Sequence, residues 1–222
     1  MIFGKIDYIN LLPFHIFLKK EPLRNNFKQS IAYKQSYPAH LNKMLKKGKI
    51  DAAFISSIAS ANKRFKTVNA GIVAKKEVQS VLVKKGVYKP DPHSETSNLL
   101  ARVLKVNGEV VIGDRALREY IKNKDSFVDL AELWNKKYNL PFVFARLSTN
   151  KDFEFYKKIG TKFANQKIFI PMYILNDYAK KRGVKQSDIK NYLKHLSYKI
   201  DKKANKGLEI FLREARLNKN QI

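Results

Sequence analysis

Four short stretches of this chain place small hydroxyl, amide or carboxylate side chains where a strand-like run gives way to a turn or helix. They are Tyr8-Ile9-Asn10 after the opening strand, Ser56-Ser57 after an Ala- and Phe-containing run, Thr96-Ser97-Asn98 at a helix start, and Gly113-Asp114 after a short buried strand. In open α/β sheets, ligands bind beyond the carboxyl ends of strands, where helix N-termini offer unpaired N–H groups and the positive end of a dipole to an anion. Hydroxyls and amides at such points suit carboxylate recognition. Each stretch taken singly also reads as an ordinary helix cap; four together point to a pocket. Asn10 is the least cap-like, because Leu11-Leu12 follow it before Pro13, and its amide can hydrogen-bond a ligand hydroxyl. Asp114 can orient a hydroxyl or act as a base, and it can equally cap the helix that follows.

Other chemistries lack their residues. The sequence has no glycine-rich nucleotide loop, no Gly-x-Ser-x-Gly elbow and no His-Glu-x-x-His zinc motif. With no cysteine and four scattered histidines, His15, His40, His93 and His195, thiolate chemistry is excluded and neither a metal nor a cofactor is expected. A formal net charge of +26 raises nucleic acid as a partner. The lysines, however, recur as doublets along the whole chain, such as Lys46-Lys47, Lys84-Lys85, Lys136-Lys137 and Lys180-Lys181, rather than on one arm. No nucleic-acid motif accompanies them, so no specific nucleic-acid partner is expected. The apolar opening from Tyr8 to Leu18 contains Asn10, Pro13 and His15 and reads as folded protein rather than an export signal. Ile168 to Leu175 is too short to span a bilayer. A cytoplasmic protein without membrane insertion is the expectation, and its oligomeric state is left open.

The elements that must hold these residues alternate between strand and helix, which predicts an α/β architecture. Residues 2–7 predict a first strand, and Pro13 stands near the start of a helix bearing Phe14, Phe17 and Leu18. Leu41, Met44 and Leu45 predict a helix over 38–47 that ends at Gly48, before a strand from Asp51 to Ile55. Val78–Lys84 and Glu109–Ile112 read as strands, with Ser94 capping a helix between them, and Phe142–Leu147 reads as another. After Asn150 the pattern is helical: Phe155, Ile159 and Phe163 form one stripe, Ser187 is predicted to cap a second, and Leu208, Phe211 and Leu212 form a third. These aromatic stripes are assigned to the core. A two-lobed arrangement requires the chain to cross twice, and Val78–Lys84 and Phe142–Leu147 are the candidate crossings.

Taken in order, Gly4-Lys5-Ile6-Asp7-Tyr8-Ile9-Asn10-Leu11-Leu12-Pro13, Gly48-Lys49-Ile50-Asp51-Ala52-Ala53-Phe54-Ile55-Ser56-Ser57-Ile58 and Gln79-Ser80-Val81-Leu82 form a recognisable series. Thr96-Ser97-Asn98-Leu99-Leu100, Ile112-Gly113-Asp114-Arg115-Ala116-Leu117, Asp129-Leu130-Ala131-Glu132-Leu133-Trp134 and Leu140-Pro141-Phe142-Val143-Phe144-Ala145 continue it. The series resembles the MqnA-type chorismate dehydratases, which open the futalosine route to menaquinone, and it runs nearly the full length of the chain. The resemblance implies a type II periplasmic-binding-protein-like fold with an interlobe cleft. Residues 1–79 and 146–222 would form lobe one and residues 80–145 lobe two. It also implies a cofactor-free hydro-lyase that removes water from chorismate to give 3-[(1-carboxyvinyl)oxy]benzoate. By the same resemblance Asn10 would contact the departing hydroxyl and Ser80 would bind a carboxylate or support proton transfer. Ser56, Ser57, Thr96, Ser97 and the Gly113 backbone would complete an anion cradle. The base would be Asp114 or the enolpyruvyl carboxylate of the substrate. A non-catalytic binding protein for a small organic anion and the related dihydroxynaphthoate synthase share the fold and stand as alternatives, with a basic nucleic-acid-associated protein more remote.

Overall fold

In the computed structural model, which describes residues 1–219, the strand-forming segments assemble into two sheets of unequal size. The chain opens with β1 (Phe3–Gly4), a 3-10 turn at Ile9–Leu11, then α1 (Leu12–Lys20), α2 (Asn25–Tyr33) and α3 (Pro38–Lys46). It continues through β2 (Ala52–Ser56), the single turn α4 (Ser57–Ser60) and β3 (Lys66–Ala74). A second group follows: β4 (Val81–Lys85), α5 (Glu95–Val103), β5 (Gly108–Ile112), α6 (Gly113–Lys122), β6 (Phe127–Asp129) and α7 (Leu130–Tyr138). The chain then enters β7 (Phe142–Thr149), α8 (Phe153–Ala164), α9 (Met172–Arg182), α10 (Gln186–Lys194), β8 (Leu196–Lys199) and α11 (Lys202–Lys219).

The larger sheet has the order β1-β2-β7-β3-β8 and the smaller one β5-β4-β6. Among the named strands β1 and β2 pair in parallel, and the other pairs are antiparallel. The predicted strand Phe142–Leu147 lies along its whole length in the larger sheet, between β2 and β3. The sheets are therefore joined by the segments on either side of β4 and α7, residues 75–80 and 139–141.

The aromatic stripes of the sequence become the core. Phe14 of α1 packs edge-on against Phe54 of β2 and Phe163 of α8, each at 4.9 Å between ring centroids. Trp134 of α7, Phe142 of β7 and Phe211 of α11 form a second ring cluster, with Trp134 and Phe142 centroids 5.2 Å apart. α11 thereby covers both β7 and the α5–α7 side of the smaller unit.

Two local expectations change. The buried face of α8 is Tyr156, Ile159, Gly160 and Phe163, with Phe155 only partly buried. Ser187 is not the cap of α10 but lies inside its first turn; the Asp188 carboxylate accepts the backbone N–H of Lys185 at 3.0 Å instead. No described helix is long and apolar enough to cross a membrane.

Candidate active site

Between the two sheets lies a cleft with about 580 Å³ of space not filled by atoms, its mouth included. Its walls are assembled from segments far apart in the chain: Tyr8 and Asn10 from the turn after β1, Ser56 at the end of β2, Ser80 before β4, Ser94 and Ser97 at the start of α5, and Gly113 at the start of α6. Apolar walls come from Phe54, Ile72, Ile112 and Phe144 among others. No carboxylate, imidazole, amine or guanidinium of a described residue lines it.

Ser80 is 2 % exposed and is held by a buried acid that the sequence reading missed. Asp129 Oδ2 accepts the backbone N–H groups of Val78 and Gln79 at 2.9 and 2.6 Å. Its Oδ1 accepts those of Ala131 and Glu132, capping α7. One side chain thus caps a helix and fixes the turn that carries Ser80, where Gln79 adopts φ 58°. Burial pushes the Asp129 carboxyl above its ordinary range, against these backbone N–H groups. The Ser80 hydroxyl lies 2.8 Å from the hydroxyl of Tyr192 on α10.

Asn10 sits in the 3-10 turn. Its backbone carbonyl accepts a hydrogen bond from the Tyr198 hydroxyl at 2.6 Å, while its side-chain oxygen is shielded from water and has no hydrogen-bond partner. A buried amide oxygen without a partner is a costly arrangement. Ser56 is pinned by Asn42 of α3, whose Nδ2 donates to its Oγ at 3.0 Å, and that oxygen also accepts from Ala59 N at 3.3 Å. With both acceptor positions occupied, the Ser56 proton is left to donate elsewhere. Ser94 and Ser97 share a hydroxyl pair at 2.7 Å at the N-terminus of α5. Burial, reinforced by the charges of Asp91 and Asp114, pushes the Tyr8 phenol up to about 12, so it remains a proton donor at neutral pH.

Of the residues predicted from the sequence, the structure brings Asn10, Ser56, Ser80, Ser97 and Gly113 to the cleft and leaves Ser57, Thr96 and Asp114 outside its lining. Ser57 is fully buried and donates to the carbonyl oxygen of Val143, because one residue after Ser56 the side chain points to the other side of the strand end. Thr96 accepts the backbone N–H of Ile58 at 3.3 Å and ties α5 to α4. Gly113 contributes shape rather than its amide: its N–H donates to the Ser80 carbonyl at 2.9 Å. It holds φ +69°, and a Cβ there would meet the Tyr8 ring at 3.0 Å.

Asp114 is turned away into an ionic cluster. Its Oδ1 accepts the backbone N–H of Ile9 at 2.9 Å and its Oδ2 pairs with Nε of Arg182 at 3.0 Å. Arg182 also reaches Asp7 Oδ2 at 2.8 Å and stacks on Tyr178 at 4.3 Å from the ring centroid, while Tyr178 and Lys5 each reach Asp7 Oδ1 at 3.0 Å. Burial works to raise Asp7, but Lys5, Arg182 and Tyr178 hold it down to about 2. At Asp114 burial prevails over Ile9 and Arg182 and the carboxyl is raised. Burial opposes the Arg182 charge as well, yet its two carboxylate partners outweigh it and the guanidinium is raised. Asp7 is the firmly ionised partner, and Asp114 is the one closer to protonation.

No group of three or more His, Cys, Asp or Glu among the described residues could hold a metal. His15 is buried in the core with Nε2 2.9 Å from the Ile6 carbonyl, and burial lowers it to about 4, leaving it neutral.

Comparison with known proteins fits this geometry. A family model for menaquinone biosynthesis matches residues 1–107 and 104–217. A chorismate dehydratase from Campylobacter jejuni is 50% identical over 215 residues, covering 96% of each chain. Among solved structures, a protein from Archaeoglobus fulgidus superposes with a TM-score of 0.66 at 14% identity, covering 99% of this chain and 97% of its own. The periplasmic aliphatic sulphonate binding protein of Escherichia coli does so with a TM-score of 0.58 at 12% identity, covering 100% and 87%. At such identities these two likenesses establish the periplasmic-binding-protein fold and nothing finer.

Proposed function

The chain belongs to the menaquinone-biosynthesis family, and on that premise we propose that it is a chorismate dehydratase, a cytoplasmic enzyme that removes water from chorismate to leave 3-[(1-carboxyvinyl)oxy]benzoate. The observation that carries this reading is the convergence of Asn10, Ser80, Ser56 and Ser97, from four separate chain segments, on one cleft without charged side chains. Such a cleft suits a reaction whose driving force lies in the substrate. Losing the ring hydroxyl and a ring proton creates an aromatic ring, so the protein needs to fix geometry and stabilise developing charge rather than supply a strong acid or metal.

In this reading Ser80, Ser56 and the Ser94–Ser97 pair at the start of α5 hold the two carboxylates, and the Asn10 amide meets the departing hydroxyl. Asp114 spends both carboxylate oxygens on Ile9 and Arg182, which removes it as the base. With no other basic side chain in the lining, the enolpyruvyl carboxylate of chorismate is the base that takes the ring proton. The departing hydroxyl takes up that proton from the carboxylate and leaves as water, and the electron pair of the broken C–H bond completes the aromatic ring. The +26 net charge assists capture of the dianion.

Incubation of the purified protein with chorismate tests the reading. Appearance of an aromatic product lighter by one water is the expected result; chorismate bound but recovered unchanged would make this a binding protein.

A further inference from the structure

Tyr192 is a fully buried tyrosine on α10, 112 positions along the chain from Ser80, yet the two hydroxyls lie 2.8 Å apart and either can donate. Burial pushes the Tyr192 phenol far above its ordinary range, so it keeps its single proton and makes one donation. Ser80 Oγ is the side-chain partner the structure gives that hydroxyl, and Ser80 lines the cleft while Tyr192 lies behind it. These facts fix a direction. The buried Tyr192 proton goes to Ser80 Oγ, and the Ser80 proton is released toward the cleft.

We infer that Tyr192 is a positioning residue that polarises the site, donating to Ser80 so that Ser80 donates outward to the ligand. The cleft then presents one aimed donor, Ser80 Oγ–H, which matches a ligand carboxylate. Tyr198 fixes the Asn10 backbone at 2.6 Å. α10 and β8 thus direct the site's protons without touching the substrate. The relay stands on the geometry, and only the identity of its carboxylate rests on the chorismate reading.

Tyr192→Phe removes the hydroxyl and keeps the ring. Turnover of chorismate is expected to fall about 10- to 100-fold, the usual effect of one buried hydrogen bond in a working site. Because the effect acts through Ser80, adding Tyr192→Phe to Ser80→Ala should cost less than about twofold more. A Tyr192→Phe enzyme at full rate, or penalties that multiply, would overturn the relay. A readout independent of activity is 3-fluorotyrosine placed at 192: its fluorine resonance should move in Ser80→Ala, and an unmoved resonance overturns the relay. A wild type that leaves chorismate untouched refutes the substrate, while the fluorine measurement still decides the relay.

Discussion

The same three chain segments build two neighbouring regions of opposite character. Asp7, Asp114 and Arg182 make a charged cluster, while Asn10, Gly113 and, one helix further on, Tyr192 face or support a cleft without charges. The charges hold segments together and the neutral groups meet the ligand. The division has a physical reason. A fixed cation in a dry cleft would bind a dianionic substrate and its dianionic product alike, whereas oriented hydroxyls and amides can be aimed at the charge that develops during reaction.

The largest effect that would break this comparison comes from the charged side. Arg182→Met strands Asp114 without a cation and leaves Asp7 with Lys5 alone, and unfolding in urea should show a loss of about 3 kcal/mol, with the rate per folded molecule falling far less than in the cleft variants. Acid sharpens the same point. Asp7 is held at about 2 against an ordinary 3.8, so its stabilisation is complete above the latter value and lost as pH falls toward the former. Asp7→Asn should therefore flatten that part of the urea-midpoint profile. Asp114, being raised, works with the opposite sign, since the fold favours its protonated form.

On the neutral side, Ser80→Ala should lower chorismate turnover about 100-fold, equivalent to about 2.7 kcal/mol at the transition state, and cost about 1–3 kcal/mol of stability in urea because the buried Tyr192 hydroxyl loses its partner. Gly113→Ala should cost about 1–2 kcal/mol through its left-handed backbone and also depress turnover by displacing the Tyr8 ring, both visible in paired melting and rate measurements. The smallest effect is expected at Ser57→Ala. Losing the donor to Val143 should cost about 1 kcal/mol of stability and leave turnover within about twofold, in contrast to Ser56 beside it. Equal rates for Ser56→Ala and Ser57→Ala variants would erase the distinction drawn between the two.

Much of the frame was legible because periodicity reports burial. Leu41 and Leu45 mark α3, Ser94 caps α5 as its spacing predicts, and Leu208 and Phe211 mark α11. β3 was not legible. Its Asn69, Ala70, Gly71 and Ala74 interrupt any strand pattern, and the sequence assigns no element there, yet it is an inner strand flanked by β7 and β8. Small residues are needed there because α8 packs so close that a Cβ on Gly160 would stand 3.3 Å from the Ala70 side chain. Composition misleads where the partner's approach, rather than the strand's own pattern, dictates residue size.

By itself the sequence determined the alternating α/β frame, the aromatic core and the short polar tips at strand ends, since propensity, periodicity and capping act over a few residues. Only the tertiary structure decided which tips face one cleft. Ser56 and Ser57 are chemically identical neighbours, and Gly113 and Asp114 share one helix start, yet each pair divides between site and scaffold. Nor could any local pattern reveal Asp129 holding the Ser80 turn, or Tyr192 reaching Ser80. Those contacts join residues 50 and more positions apart, and they exist only once the two sheets and the helical tail have packed.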